Sequence, residues 1–425
     1  MRPSGAAAVP IVVFDIVIVG AGPAGLCFAR SLAGSGLEVA LVEAQAEPDL
    51  ADPPFDGREI ALTHHSVHLL RQLGTWAQIP QQEIHALRDA QVLDGTALPG
   101  MRIDHSDGPR SQLGYLVSNQ LIRRATFAVL RGQERVTLLC GRRVTGIEPG
   151  AEHSRLRLSD GQSLRARLVV AADSRFSETR RAMGIPADSH DFGKTMLVCR
   201  MRHDQPHHQV AWEWFGYGQT LALLPLGDGE SSVVLTLPHT DIQGLMAATE
   251  ADFAAAMEQR FHGRLGRMQL TTTRHAYPLV GVYPRRFTAQ RFALVGDAAV
   301  GMHPVTAHGF NFGLLGQDLL AREVLGLAAA SGGTGYTRDP GDARMLARYG
   351  RDLRRATRPL YLATLLITRL YTNDAPPARL LRRAVLSAAG SLPPLRRAVA
   401  HSLMQAGDSR QATTPLRGLF HALRG

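Results

Sequence analysis

Apolar and polar positions change period several times along the chain, and each change predicts an element. Phe14 to Val19 is an apolar, β-branched run; a glycine turn follows, then helical apolar spacing from about Pro23, then a second apolar run closing on Glu43. That order predicts a strand–helix–strand unit. From about Phe192 to Leu237 the runs are short and alternating, separated by Gly, Asp, Pro and His turns, so a mostly antiparallel sheet is expected. Phe292 to Val295 reads as a buried strand and Gly309 onward as a helix. After a Gly/Ser/Thr linker at 331–342, Ala343 to Tyr371 resumes helical spacing, and proline pairs at 376–377 and 393–394 break the remainder into short helices.

With 425 residues, 45% of them apolar and 20% charged, the chain can bury a core and form two or three domains. Cys27, Cys140 and Cys199 are widely spaced and make no CxxC pair. A disulfide framework, a thiol relay and a Cys-rich metal site are therefore not expected, and a reducing, cytoplasmic compartment is. The net charge of +10 resides in residues 341–425, where fifteen Arg face four Asp. A basic tail on a neutral body suits a membrane phospholipid or an acidic partner, such as a biosynthetic complex, better than nucleic acid. Composition bias would give the same excess in a chain whose only lysine is Lys194. No apolar run has the roughly 20 residues of a membrane span, the nearest being Leu360 to Ile367 between Arg358 and Arg369. The apolar start at Ile11 runs straight into the glycine motif and reads as a strand, not a signal peptide.

Gly20, Gly22 and Gly25 form GxGxxG between the first strand and its helix. Such glycines serve a tight turn, backbone approach to a pyrophosphate and close helix–strand packing, and the helix N-terminus faces the phosphates. Glu43 has the spacing of a carboxylate that accepts ribose hydroxyls. FAD and NAD both satisfy this motif. Asp297, directly after the strand ending at Val295, favours FAD, because a carboxylate at a strand's carboxyl end can hold a ribityl hydroxyl. It can equally cap the following turn. His303, Pro304, His308 and the Gly309-Phe310-Asn311 segment would then lie beside the flavin ring, where backbone amides stabilise negative charge. The two histidines are candidates for proton transfer, although a loop histidine more often packs or hydrogen-bonds.

Five segments occur in the order found in class A flavoprotein monooxygenases: the glycine start, DGREIALTHHSVHLLRQLGTW, LGYLVSN, LVVAADSRFSETRRAMGI and GDAAVGMHPVTAHGFNFGL. The chain most resembles their ubiquinone-biosynthesis hydroxylase group over roughly residues 12–325. The resemblance implies that Arg58, Asn119, Asp173 and Asp297 lie around the FAD. Two departures stand out. The family's Asp-Gly is Asp173-Ser174 here, and its HPxxGQGxN loop has Ala307 and His308 in place of Gly and Gln. That loop resembles the demethoxyubiquinol-hydroxylating branch.

These readings give an α/β protein: a Rossmann-like FAD-binding domain from residues 1–80, 111–186 and 285–340, a mostly antiparallel-sheet substrate domain from 81–110 and 187–284, and a basic helical C-terminal region, 341–425. No second strand–GxGxxG–helix unit appears, so NAD(P)H is expected as a transient co-substrate with O2, the flavin forming a hydroperoxide. The expected substrate is a prenylated phenol or quinol. A small soluble aromatic, or a flavin-bearing assembly or sensor subunit without turnover, are the alternatives. On the central sheet Trp212 and Trp214 share one face, with Ala211, Glu213 and Phe215 on the other. Trp212, Trp214, Leu223 and Pro225 are the candidate pocket residues, core packing being their competing fate.

Overall fold

Three β-sheets organise the protein in a computed structural model, which describes residues 12–95, 97–108, 110–216, 218–304, 308–329 and 339–372, with Ala375, Pro377 and Arg382. At the centre of the first sheet is β1 (Val12–Val19), flanked by β2 (Val39–Val42) and β11 (Ser163–Ala171). Beyond β2 comes β8 (Val136–Leu139); beyond β11 come β19 (Phe292–Leu294) and the short β18 (Thr288–Ala289). The ladders joining β8, β2, β1, β11 and β19 are all parallel, with Ile16 opposite Val39 and Val19 opposite Ala171. A hairpin of β9 (Val144–Glu148) and β10 (Ser154–Leu158) adds antiparallel to β11. The middle strands are buried on both faces, as a parallel sheet covered by helices requires, and so they read as unbroken apolar runs.

Helix α1 (Pro23–Ser31) starts at Gly22 with Pro23 in its first turn, where a missing N–H costs nothing. It packs against α4 (Asn119–Leu130) and α8 (Gly309–Ala329), while α2 (Glu47–Ala51) lies beside α4. Against α8 runs α9 (Ala343–Thr372), a 30-residue helix that carries Pro359 inside it. The expected helix from Ala343 is thus present. The remaining linker and tail, including the proline pairs at 376–377 and 393–394, fall almost wholly outside the described residues. Among the described residues no helix is long and apolar enough to cross a membrane.

The second sheet runs β16 (Met268–Leu270), β12 (Ala187–His203), β15 (Glu230–Pro238), β14 (Thr220–Pro225), β13 (Val210–Phe215), β5 (Asp89–Asp94), β6 (Ala97–Ile103). β17 (His275–Pro284) also pairs with β12. Every ladder is antiparallel except β13 with β5. One face is covered by α6 (His239–Ala247) and α7 (Glu250–Arg260), whose Ile242, Phe253 and Met257 meet Trp214, Leu221, Leu223, Val233 and Leu235. The other face looks toward the first sheet. A small antiparallel sheet of β3 (Glu59–Leu62), β7 (Gly114–Ser118) and β4 (His85–Leu87) bridges the two, with α3 (His64–Gln72) following β3 and the short α5 (Glu178–Ala182) following β11.

Candidate active site

Four loops leave the carboxyl ends of adjacent parallel strands and meet in one crevice, the position where open α/β sheets bind ligands. After β1 comes the glycine turn. Gly20 has φ +105°, and a Cβ there would lie 2.5 Å from the Ala172 carbonyl oxygen; a Cβ on Gly25 would collide with the Gly20 carbonyl oxygen. Gly22 differs, since its Cβ would meet only the Ala172 oxygen, at 4.0 Å. The fold itself thus leaves room for a side chain at Gly22, on the approach to the α1 amides that a pyrophosphate would use. Glu43, after β2, accepts from the Ala21 N–H at 2.7 Å and the Gln45 N–H at 2.9 Å, which fixes its carboxylate beside the turn.

Asp173 follows β11. Its Oδ2 accepts from Thr179 Oγ1 at 2.9 Å, and its buried Oδ1 has no hydrogen-bond partner among the described residues. A buried acceptor left over beside a cradle of glycine backbone fits a bound hydroxylated cofactor. Asp297 sits in a 3-10 turn, Gly296–Ala298, after β19. It receives Arg175 Nη2 at 3.1 Å.

Opposite these loops another cluster forms. Asp56 accepts from Arg58 Nη2 at 2.6 Å and from Asn119 Nδ2 at 2.7 Å, and its carbonyl oxygen accepts from the Tyr277 hydroxyl at 2.7 Å. Burial pushes the Asp56 carboxyl up, but Arg58 and Asn119 outweigh it and hold it below the usual carboxylate range. Burial likewise works against the charge on Arg58, which Asp56 first, then Tyr277 and Asp297, restore. Asp297 and Arg58 are therefore near enough to act on each other.

His303 packs edge-on to Phe192, ring centroids 4.7 Å apart. Phe192 is turned toward it by an irregularity in the β12–β17 ladder between Asp191 and Thr195. Burial, with smaller effects from Lys194 and Arg175, lowers the His303 pKa to about 4, so the imidazole is neutral at pH 7. Pro304 is exposed beside it. His308 is buried before α8, its ring 6.0 Å from Phe312; Val305 to Ala307, with the altered alanine, lie outside the described residues.

Other expectations need correction. Trp212, Trp214, Leu223 and Pro225 do not face the crevice. They lie on the strand face that α6 and α7 cover; the Trp214 indole N–H is spent on the Gly95 carbonyl oxygen at 2.8 Å, and Trp212 is 6.4 Å from Phe261. Alternation put them on one face, and helices following β15 made that face the core. Asn311 is also committed elsewhere: Oδ1 accepts from the Thr63 N–H at 3.1 Å and Ser66 Oγ at 2.6 Å, and Nδ2 donates to the Ala61 carbonyl oxygen at 2.9 Å. It ties the start of α8 to the β3–α3 junction. The Phe310 side chain packs against Leu62 and its neighbours, so Gly309 and Phe310 offer the crevice backbone only. Arg175, Asp56 and Tyr277 were missed, although Arg175 stands two residues after Asp173 and Asp56 two residues before Arg58.

A family model described as FAD binding domain matches residues 13–337. Fold and crevice together thus define a flavoprotein of the FAD-dependent monooxygenase class. The chain is 44% identical over 393 residues to the ubiquinone hydroxylase UbiM of Neisseria meningitidis, covering 92% of this chain and 84% of that one. It is 28% identical to the 3-demethoxyubiquinol 3-hydroxylase of Escherichia coli, over 88% of this chain and 94% of that one. It belongs to the ubiquinone-biosynthesis hydroxylase family of these monooxygenases. Among solved structures, the p-nitrophenol 4-monooxygenase PnpA of Pseudomonas putida shares the fold, with a TM-score of 0.75 at 18% identity over 93% of this chain and 99% of that one.

Proposed function

We propose that this protein hydroxylates the aromatic ring of a polyprenylated phenol or benzoquinol in ubiquinone biosynthesis, with FAD as bound cofactor and NAD(P)H and O2 as co-substrates. The observation that carries the reading is the meeting of the glycine turn, Asp173 and Asp297 in one crevice of a chain 44% identical to a ubiquinone hydroxylase. The FAD-binding unit comprises residues 1–80, 111–186 and 285–340, and the substrate unit residues 81–110 and 187–284. When bound, FAD would supply the redox and oxygen-activating chemistry of the hydroxylation. The protein binds and orients. Amides of the glycine turn and α1 would hold the pyrophosphate, Glu43 the ribose, and Asp297, steered by Arg175, the ribityl chain. Asp173 offers its spare oxygen beside them. His303, uncharged at neutral pH, serves as a hydrogen-bonding wall of the site rather than an imidazolium acid.

The basic C-terminal region holds the enzyme against a membrane surface or a biosynthetic complex on the cytoplasmic side. On α9, Leu366 is 66% exposed, close to Leu362, Ile367 and Arg369. Apolar residues beside arginines suit an interfacial helix.

The test is complementation. Supplied to cells blocked at one quinone hydroxylation step after another, the protein should relieve at least one block, with the hydroxylated quinone identified by mass. Relief of none would overturn the quinol assignment.

A further inference from the structure

The face of the second sheet that turns away from α6 and α7 holds a carboxyl group with an unusual setting. On β13, Glu213 alternates with Trp212 and Trp214 and so leaves the sheet on the opposite face. Its row across the sheet is apolar: Val92 pairs with it on β5, Ala222 on β14, then Val234 on β15 and Val198 on β12. Ala211 and Ala90, a pair on the same face, keep the surroundings small. Past Val198 the row continues to His275 on β17, and Val198 abuts the turn before Arg58, since a Cβ on Gly57 would come within 2.7 Å of Val198 Cγ2. Three strand spacings, roughly 14 Å at about 4.8 Å each, separate Glu213 from Val198. That span is longer than one substituted aromatic ring.

The two faces of the sheet differ in openness. Leu223, Val233 and Trp214 are buried, whereas Glu213, Ala222 and Val234, in the middle of the same strands, each remain partly open. Cationic groups near this face are engaged elsewhere: Arg200 pairs with Glu59 at 2.7 Å, and Lys194 reaches the Gly218 carbonyl oxygen at 3.4 Å. No hydrogen bond or ion pair of Glu213 is found among the described residues. Burial alone pushes its carboxyl up to about 8, with no charged group contributing, so it keeps its proton at neutral pH.

A protonated carboxyl offers one O–H donor and one carbonyl acceptor, the complement of a ring hydroxyl, which both donates and accepts. A ring bearing its own carboxylate would have to bring its negative charge among these apolar side chains, a cost that a neutral ring does not bear.

We propose that Glu213 is the specificity-determining positioning residue of the substrate cavity: it holds a hydroxyl of an uncharged phenol or quinol and so favours that ring over one that carries a carboxylate. This rests on the phenolic substrate class proposed above. It also names the side of the sheet on which substrate lies, the side opposite Trp212 and Trp214.

The experiment uses the purified FAD-loaded enzyme, Glu213→Gln and Glu213→Ala, with a short-chain prenylated methoxyhydroquinol and the same ring bearing a carboxylate. KM, kcat, product formed per nicotinamide oxidised, and the shift in flavin absorbance on ring binding are measured at pH 7.5. Glu213→Ala should raise KM for the neutral ring about tenfold, the worth of one buried hydrogen bond, and lower product per nicotinamide. Glu213→Gln, which still donates and accepts, should hold KM within about threefold. In Glu213→Ala the preference for the neutral ring over the carboxylated one should fall about tenfold, and in Glu213→Gln, which keeps the hydrogen bonds to the neutral ring, it should stay within about threefold. Wild-type turnover with unchanged KM, coupling and preference in both FAD-retaining variants would overturn the role of Glu213 alone. A wild type that makes no product from the hydroquinol overturns the substrate class instead, and the absorbance shifts with the two rings then still decide whether Glu213 discriminates between them.

Discussion

Arg175 reaches Asp297 across 122 positions of sequence, its Nη2 3.1 Å from Oδ2, while its Nη1 donates to the Val280 carbonyl oxygen at 3.2 Å. One side chain thus joins the loop after β11, the loop after β19 and strand β17 of the second sheet. It orients the Asp297 carboxylate and ties the cofactor crevice to the substrate sheet. Removing it frees the carboxylate to rotate. Arg175→Ala should therefore weaken FAD binding about tenfold, and Asp297→Ala by roughly ten- to a hundredfold, the range for hydrogen bonds to charged groups. Flavin fluorescence titration of the apoprotein measures both. Equal affinity in wild type and Asp297→Ala would remove Asp297 from the cofactor site.

The three glycines of the first turn separate by what crowds them. A Cβ at Gly25 strikes the Gly20 carbonyl oxygen, whereas at Gly22 it meets only the Ala172 oxygen at 4.0 Å. Gly25→Ala must move backbone and should lower apoprotein stability by about 2 kcal/mol or more. Gly22→Ala should leave the apoprotein melting temperature nearly unchanged and still abolish FAD binding, because the added methyl stands where a pyrophosphate must approach. Melting curves and FAD titrations on both variants distinguish these outcomes; a Gly22→Ala protein that binds FAD normally would contradict the placement.

Asn311 satisfies three buried groups at once: the Thr63 N–H, Ser66 Oγ and the Ala61 carbonyl oxygen. Asn311→Ala strands them and should cost about 2–4 kcal/mol in denaturant unfolding, each orphaned polar group contributing on the order of 1–3 kcal/mol with partial relief from water. Asn311→Asp, measured at acid pH where its carboxyl is protonated, keeps both acceptor contacts and an O–H donor toward Ala61, so there it should cost less. A larger loss for the aspartate would refute this accounting.

How much of this was legible depends on range. The glycine turn, Glu43 and Asp297 were readable because a parallel strand buried on both faces leaves a continuous apolar run, and the ligand loop begins where that run stops. Period-two alternation also separated Trp212 and Trp214 from Glu213. It could not say which set faced the crevice. That was decided by where α6 and α7 land, through Ile242, Phe253 and Met257. Asn311 and Arg175 were opaque for a related reason, since their partners lie 245 and 122 positions away and no local pattern records such a pairing.

The carboxyl of Glu213, set among apolar neighbours, predicts a pH signature in stability. Burial raises its pKa from 4.5 to about 8, so between those values the folded protein holds a proton that the unfolded chain has released. Stability linked to this group is full below about 4.5 and is lost as pH rises through about 8. A glutamine of the same shape does not titrate. Glu213→Gln and wild type should therefore melt at nearly the same temperature near pH 4.5, and the variant should become progressively more stable than wild type as pH rises toward 8. Other carboxylates, including Glu59, which burial against the opposing pull of Arg200 raises to about 7, are common to both proteins and cancel in the difference. Paired melting curves at half-unit pH intervals read this directly. A constant difference across the range would mean that Glu213 is solvated in the folded protein, and its carboxyl could not then carry the proton that holding a ring hydroxyl requires.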